Sequence, residues 1–85
     1  MKEAIQARVR HFVTDNFLFG RSDMTLAGDT SFLESRIIDS TGVLELVSFL
    51  ETAYGIEVSE EEMEPANLDS LDRIAAFVMK KLGRG

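Results

Sequence analysis

Two places in the chain join an acidic residue to a serine just where an apolar periodic stretch begins: Asp39-Ser40 and Asp69-Ser70. A serine at such a junction sits among backbone N–H groups with no partner inside the helix, at the positive end of the helix dipole. That is a favourable environment for a phosphate, and a phosphodiester on the serine oxygen gains from it. It is also the ordinary environment of a capping residue. The two pairs differ in their surroundings. Ile37-Ile38 leads into Asp39-Ser40, and Glu45-Leu46 follows. Asp69-Ser70-Leu71 opens the last periodic stretch and has no such pair after it, so capping alone accounts for Ser70.

Other chemistry is thinly supplied. The chain has no cysteine and one histidine, His11. That excludes a disulfide framework, a thiolate metal site and a cysteine nucleophile, and leaves any thiol chemistry to a cofactor. Glu60, Glu61, Glu62 and Glu64 lack the alternating ligands and the glycine of a calcium loop. No Ser-His-Asp grouping, P-loop or dinucleotide fingerprint is present. Neither a catalytic residue nor a metal site is expected.

The elements that must position Ser40 follow from the apolar periodicity. Ile5, Val9, Phe12 and Val13 predict a helix over about 2–15. Val43, Leu46, Val47, Leu50 and Tyr54 predict one over about 40–54, stopped by Gly55. Leu71, Ile74, Ala75, Val78 and Leu82 predict one over about 70–82, stopped by Gly83, with Asp69 or Ser70 as N-cap. Ser59 to Glu64 reads as a short helix with a capping box to Glu62, ended by Pro65. Ile56-Glu57-Val58 alternates but is too short to build a sheet. The expected fold is all-α: a four-helix bundle in one domain over 1–85, three helices long and one short. A long loop from about Phe17 to Asp39 joins the first two. Phe17, Leu18, Phe19, Leu26, Phe32, Leu33, Ile37 and Ile38 are available to pin that loop to the core, and a helical turn is expected around Ser31 to Ser35.

The net charge of −6 is unevenly spread. From Ile37 to Asp72 there is no Lys or Arg, yet Asp39, Glu45, Glu51, Glu57, Glu60, Glu61, Glu62, Glu64, Asp69 and Asp72 lie there. Such a surface repels nucleic acid and suits basic partner surfaces, although solubility alone also explains it. No apolar run approaches the roughly 20 residues that cross a bilayer. The opening residues lack the apolar core of a signal peptide, so the expected location is the cytoplasm.

With its length and the order of these elements, the chain resembles the acyl carrier protein family. The resemblance rests on Asp39-Ser40 with Glu45-Leu46, on Phe49-Leu50-Glu51 running into Tyr54-Gly55-Ile56-Glu57-Val58, and on Asn67-Leu68-Asp69-Ser70-Leu71-Asp72. It implies a carrier rather than an enzyme. Ser40 would receive phosphopantetheine from coenzyme A through a phosphopantetheinyl transferase, and acyl groups would ride on the arm as thioesters. It also implies that Asp39, flanking the serine, assists the transferase's metal site. Thr41 stands where the family usually has Leu, which points to a specialised member, in lipid or secondary-metabolite synthesis. Thr41, Leu44, Glu45 and Glu51 are the candidate contacts for transferases, synthases or ligases with basic docking patches. A solvated face, or half-buried packing for Leu44, is the plainer reading of the same residues. Val43, Leu46, Leu50, Ile56, Met63 and Leu68 could shelter an acyl chain. A monomer is expected. An aminoacyl or peptidyl carrier, or a helical interaction module without a cofactor, is the alternative.

Overall fold

The computed structural model describes residues 2–17 and 27–83. Four α-helices follow in order: α1 (Lys2–Asn16), α2 (Ser40–Tyr54), α3 (Pro65–Leu68) and α4 (Leu71–Lys81). No strand occurs among the described residues, and the all-α bundle class is observed. Helix α4 packs against both α1 and α3. Its Leu71, Ile74, Ala75, Phe77 and Val78 meet Ile5, Val9 and Val13 of α1 and Leu46, Val47 and Leu50 of α2 in one buried core. These are the members of the predicted apolar faces, with Phe77 added. Phe12, Val43 and Tyr54 are only half-buried at the core's edge.

The helix ends have local causes. The Asp39 carboxylate Oδ1 accepts from the Gly42 N–H at 2.7 Å, which makes Asp39 the N-cap of α2. Gly55 closes α2 in the left-handed region, at φ 64°, and its N–H donates to the Glu51 carbonyl at 2.9 Å. The predicted short helix over 59–64 is instead a 3₁₀ turn at Glu60–Glu62, followed by α3. Pro65 does end the first of these, because the residue before a proline is pushed to extended backbone, and Glu64 lies at φ −129° and ψ 157°. The same proline then opens α3, where its missing N–H costs nothing.

The connection before α2 is fastened to the start of α4. The Asp69 carbonyl accepts from the Phe32 N–H at 2.9 Å, Asp69 Oδ1 accepts from the Leu33 N–H at 3.0 Å, and Asp69 Oδ2 accepts from the Ser31 hydroxyl. One residue group on, the Asp72 N–H donates to the Gly28 carbonyl at 2.9 Å, and Gln6 of α1 donates to the Asp72 carboxylate. A turn forms over 32–36, with the Ser35 N–H donating to the Ser31 carbonyl at 3.0 Å. Phe32, Ile37 and Ile38 are buried and pin the loop, whereas Leu33 is exposed. Leu18, Phe19 and Leu26, expected to help, lie outside the described residues.

Candidate functional site

Ser40 is the first residue of α2 and is exposed. Two consequences follow from the cap before it. The first backbone bond of the helix runs from the Val43 N–H to the Asp39 carbonyl at 3.0 Å, and the Asp39 side chain takes the Gly42 N–H. The N–H groups of Ser40 and Thr41 therefore have no partner within the helix. The hydroxyl stands in solvent beside two free donors and the positive end of a 15-residue helix. Among the described residues no side chain near it is arranged as a base: Asp39 Oδ1 is taken by the Gly42 N–H, and His11 pairs with Asp15 on the surface of α1 at 3.0 Å. Among the described residues there is no cluster of three His, Cys, Asp or Glu side chains able to hold a metal.

Ser70 has a different situation. It is 4% exposed, and its hydroxyl oxygen accepts from the Arg73 N–H at 3.1 Å as the N-cap of α4. Its oxygen is thus committed inside the fold.

Beside Ser40 an apolar cleft of about 310 Å³ opens between α2 and the 63–69 segment. Buried Phe32, Ile38, Leu46 and Leu68 line its depth, and Val43, Met63 and Pro65 its sides. Exposed Leu33 and Leu44, at 44% and 58%, flank it on the surface. Leu50 and Ile56, expected from the sequence to join such a shelter, are buried in the core and do not line the cleft. Phe32, Leu33 and Ile38 do, although they precede α2. Sequence periodicity could not assign them, because the bonds from Asp69 bring that turn across.

The other candidate residues separate by position. Thr41, Leu44 and Glu45 are exposed on the first turns of α2, around Ser40. Glu51 is half-buried near the far end, and its Oε2 accepts from the Val58 N–H at 2.9 Å. It holds the chain leaving α2. At the last residue of α2, burial pushes the Tyr54 phenol above its ordinary value, against the pull of Arg8, whose guanidinium lies over the ring at 5.4 Å. Glu62 is a second carboxylate with a fixed role. The Ser59 N–H donates to its Oε1 at 3.0 Å, and Lys81 of α4 donates to both oxygens, at 2.9 and 3.2 Å. These bonds, the Ser59 backbone bond first, hold its carboxyl below the usual range.

No helix among the described residues is long and apolar enough to cross a membrane. No protein-family model matches the chain. Two curated proteins do. A protein of Serratia sp. (strain ATCC 39006), described as probable acyl carrier protein PigG, is 26% identical over 76 residues, which span 89% of this chain and 86% of that protein. An acyl carrier protein of Akkermansia muciniphila is 31% identical over 80 residues, 94% of this chain and 95% of that protein. With an all-helical bundle, a match over nearly the full length of both chains and an exposed serine opening the second helix, the chain belongs to the acyl carrier protein family.

Proposed function

We propose that this chain carries acyl intermediates as thioesters on a phosphopantetheine arm attached to the Ser40 oxygen. The observation that carries the reading is the position of that oxygen: exposed, first in α2, with the Ser40 and Thr41 N–H groups open to a phosphodiester. When bound, the arm supplies the thiol that a chain without cysteine lacks. The chain's own part is to hold the attachment point at a capped helix start, where Asp39 fixes the first turn. The cleft of about 310 Å³ beside Ser40 is lined mainly by apolar side chains, with Ser40, Glu64 and Asp69 as its polar members, and this supports an acyl cargo over an aminoacyl or peptidyl one. A polar cargo group set against the apolar wall would go unpaired, at a cost of about 1–3 kcal/mol.

In this reading the protein is a carrier, not an enzyme. A phosphopantetheinyl transferase modifies it in the cytoplasm, and Asp39 assists that enzyme's metal site. Thr41, Leu44 and Glu45 form the surface that transferases, synthases or ligases with basic patches meet. Glu51 is the least available member of that set, since Val58 already holds one of its oxygens. The partners belong to lipid or secondary-metabolite synthesis, and Thr41 beside the arm suits a specialised set. The test is intact mass after incubation with coenzyme A and a broad-specificity phosphopantetheinyl transferase. The chain gains one arm, and Ser40→Ala gains none. An unmodified wild-type chain, or a modified Ser40→Ala chain, overturns the reading.

A further inference from the structure

The turn that leads to Ser40 closes as many helices do. The Ile37 N–H donates to the Phe32 carbonyl at 3.0 Å, and the Arg36 N–H donates to the Leu33 carbonyl at 3.2 Å. That pair of bonds is a Schellman closure, which sets one residue in the left-handed region, where glycine is the ordinary occupant. Here the residue is Arg36, at φ 58°, the one non-glycine residue with positive φ among the described residues. A side chain is strained in that region, so the turn would form as well or better with glycine. Its neighbours hold it there. The Asp69 bonds fix 31–33 on one side, and Ile37 and Ile38 are buried on the other. Arg36 is left exposed, and its guanidinium has no hydrogen bond, ion pair or ring partner among the described residues. It is also the one Lys or Arg from Ala27 to Asp72, a stretch that holds twelve Asp and Glu.

We infer that Arg36 is a docking contact, and that the transferase which modifies Ser40 meets it with a carboxylate. Three residues part Arg36 from Ser40, so their Cα atoms lie within about 14 Å of each other. A partner that covers about 800 Å² around Ser40 reaches about 16 Å from the centre of its footprint, and therefore covers Arg36. A guanidinium covered without a counter-ion weakens binding, whereas one paired with a carboxylate strengthens it and fixes the orientation. The acids around Arg36 call for bases on the same enzyme. One acid among those bases sets which way round the two surfaces fit. The inference rests on the carrier reading, since it takes Ser40 as the place of docking.

The experiment is steady-state kinetics of arm transfer, with coenzyme A, a broad-specificity phosphopantetheinyl transferase and the full chain as the varied substrate. Arg36→Gln and Arg36→Gly raise KM by about two- to fivefold, the range of an exposed ion pair, and leave kcat unchanged. Arg36→Glu raises KM further, and Arg36→Lys restores most of the loss. Net charge alone predicts the opposite sign: a chain one unit more negative binds a basic patch more tightly, and KM falls. Lys80→Gln, which takes one cation from the last turn of α4, leaves KM unchanged or lowers it. Arg36→Gly keeps or raises the wild-type melting temperature, so a damaged fold does not account for its KM. An unchanged or lowered KM in Arg36→Gln overturns the inference. So does a rise confined to Arg36→Gly, which would lie in the turn's geometry, or an equal rise in Lys80→Gln, which would lie in net charge. A wild-type chain that takes no arm overturns the carrier reading and this inference with it; a chain that takes the arm with KM unmoved by Arg36→Gln overturns the inference alone.

Discussion

Replacing Gly42 by Ala sets helix propensity against packing. In an open helix the change stabilises by about 0.5–1 kcal/mol, and less in a first turn. Gly42 is buried, however, and a Cβ there would lie 2.7 Å from Phe17 Cε1 and 2.9 Å from Ile38 Cγ2, both closer than carbon atoms approach. It would also stand 3.3 Å from Asp39 Oδ1, the oxygen that caps the helix. Forcing a methyl into a packed site costs about 1–3 kcal/mol. The packing loss exceeds the propensity gain, so Gly42→Ala destabilises by about 1 kcal/mol and lowers the melting temperature by about 4–8 °C for a chain of this size. Thermal unfolding by circular dichroism measures it. The Phe17→Leu, Gly42→Ala double variant loses less than the sum of the two singles, because the shorter side chain vacates the clash. A rise in melting temperature on Gly42→Ala, or strict additivity, would refute the close approach of Phe17 to the start of α2.

Two further outcomes test neighbouring features. Ser70→Ala removes a buried cap and costs about 1 kcal/mol of stability, read as a lower urea midpoint, yet the chain still accepts the arm; loss of modification there would contradict Ser40 as the site. Glu62, held below its ordinary carboxyl value of 4.5 chiefly by the Ser59 N–H and then by Lys81, contributes stability above that value and loses it as the pH falls through the lowered one. The urea midpoints of wild type and Glu62→Gln therefore differ at neutral pH and converge as the pH falls through that lowered value, and a difference that grows on acidification would refute the sign.

Much of this was legible in the sequence, and the gaps have physical reasons. The three long helices follow from apolar residues at helical spacing, and the stop at Gly55 from its freedom to take positive φ. Pro65 was readable as an end but not as a beginning, since propensity treats it as a breaker while an N1 position tolerates it. The joining of the 31–33 turn to Asp69, and of Gly28 to Asp72, depends on pairs far apart in sequence, which local patterns do not encode. For the same reason the cleft took in Phe32, Leu33 and Ile38 and left out Leu50 and Ile56. Glu51 looked like a free charge on a helix face, and only the exit path of the chain shows that Val58 claims one of its oxygens. Gly42 gave no signal at all, because its need for a missing side chain arises from Phe17 packing across it. Asp39-Ser40 and Asp69-Ser70 were distinguishable by their flanks, and burial separates them further: one serine is exposed, the other 4% exposed and bonded.

The most direct measurement is the position of the arm in the modified wild-type chain. No Lys or Arg lies between Arg36 and Arg73, so trypsin leaves both serines on one peptide. Cleavage after glutamate separates them, with Ser40 on the 35–45 peptide and Ser70 beyond Glu64. Fragmentation mass spectrometry finds the added mass on Ser40; the mass on Ser70, or on Ser35 or Thr41, would contradict the account.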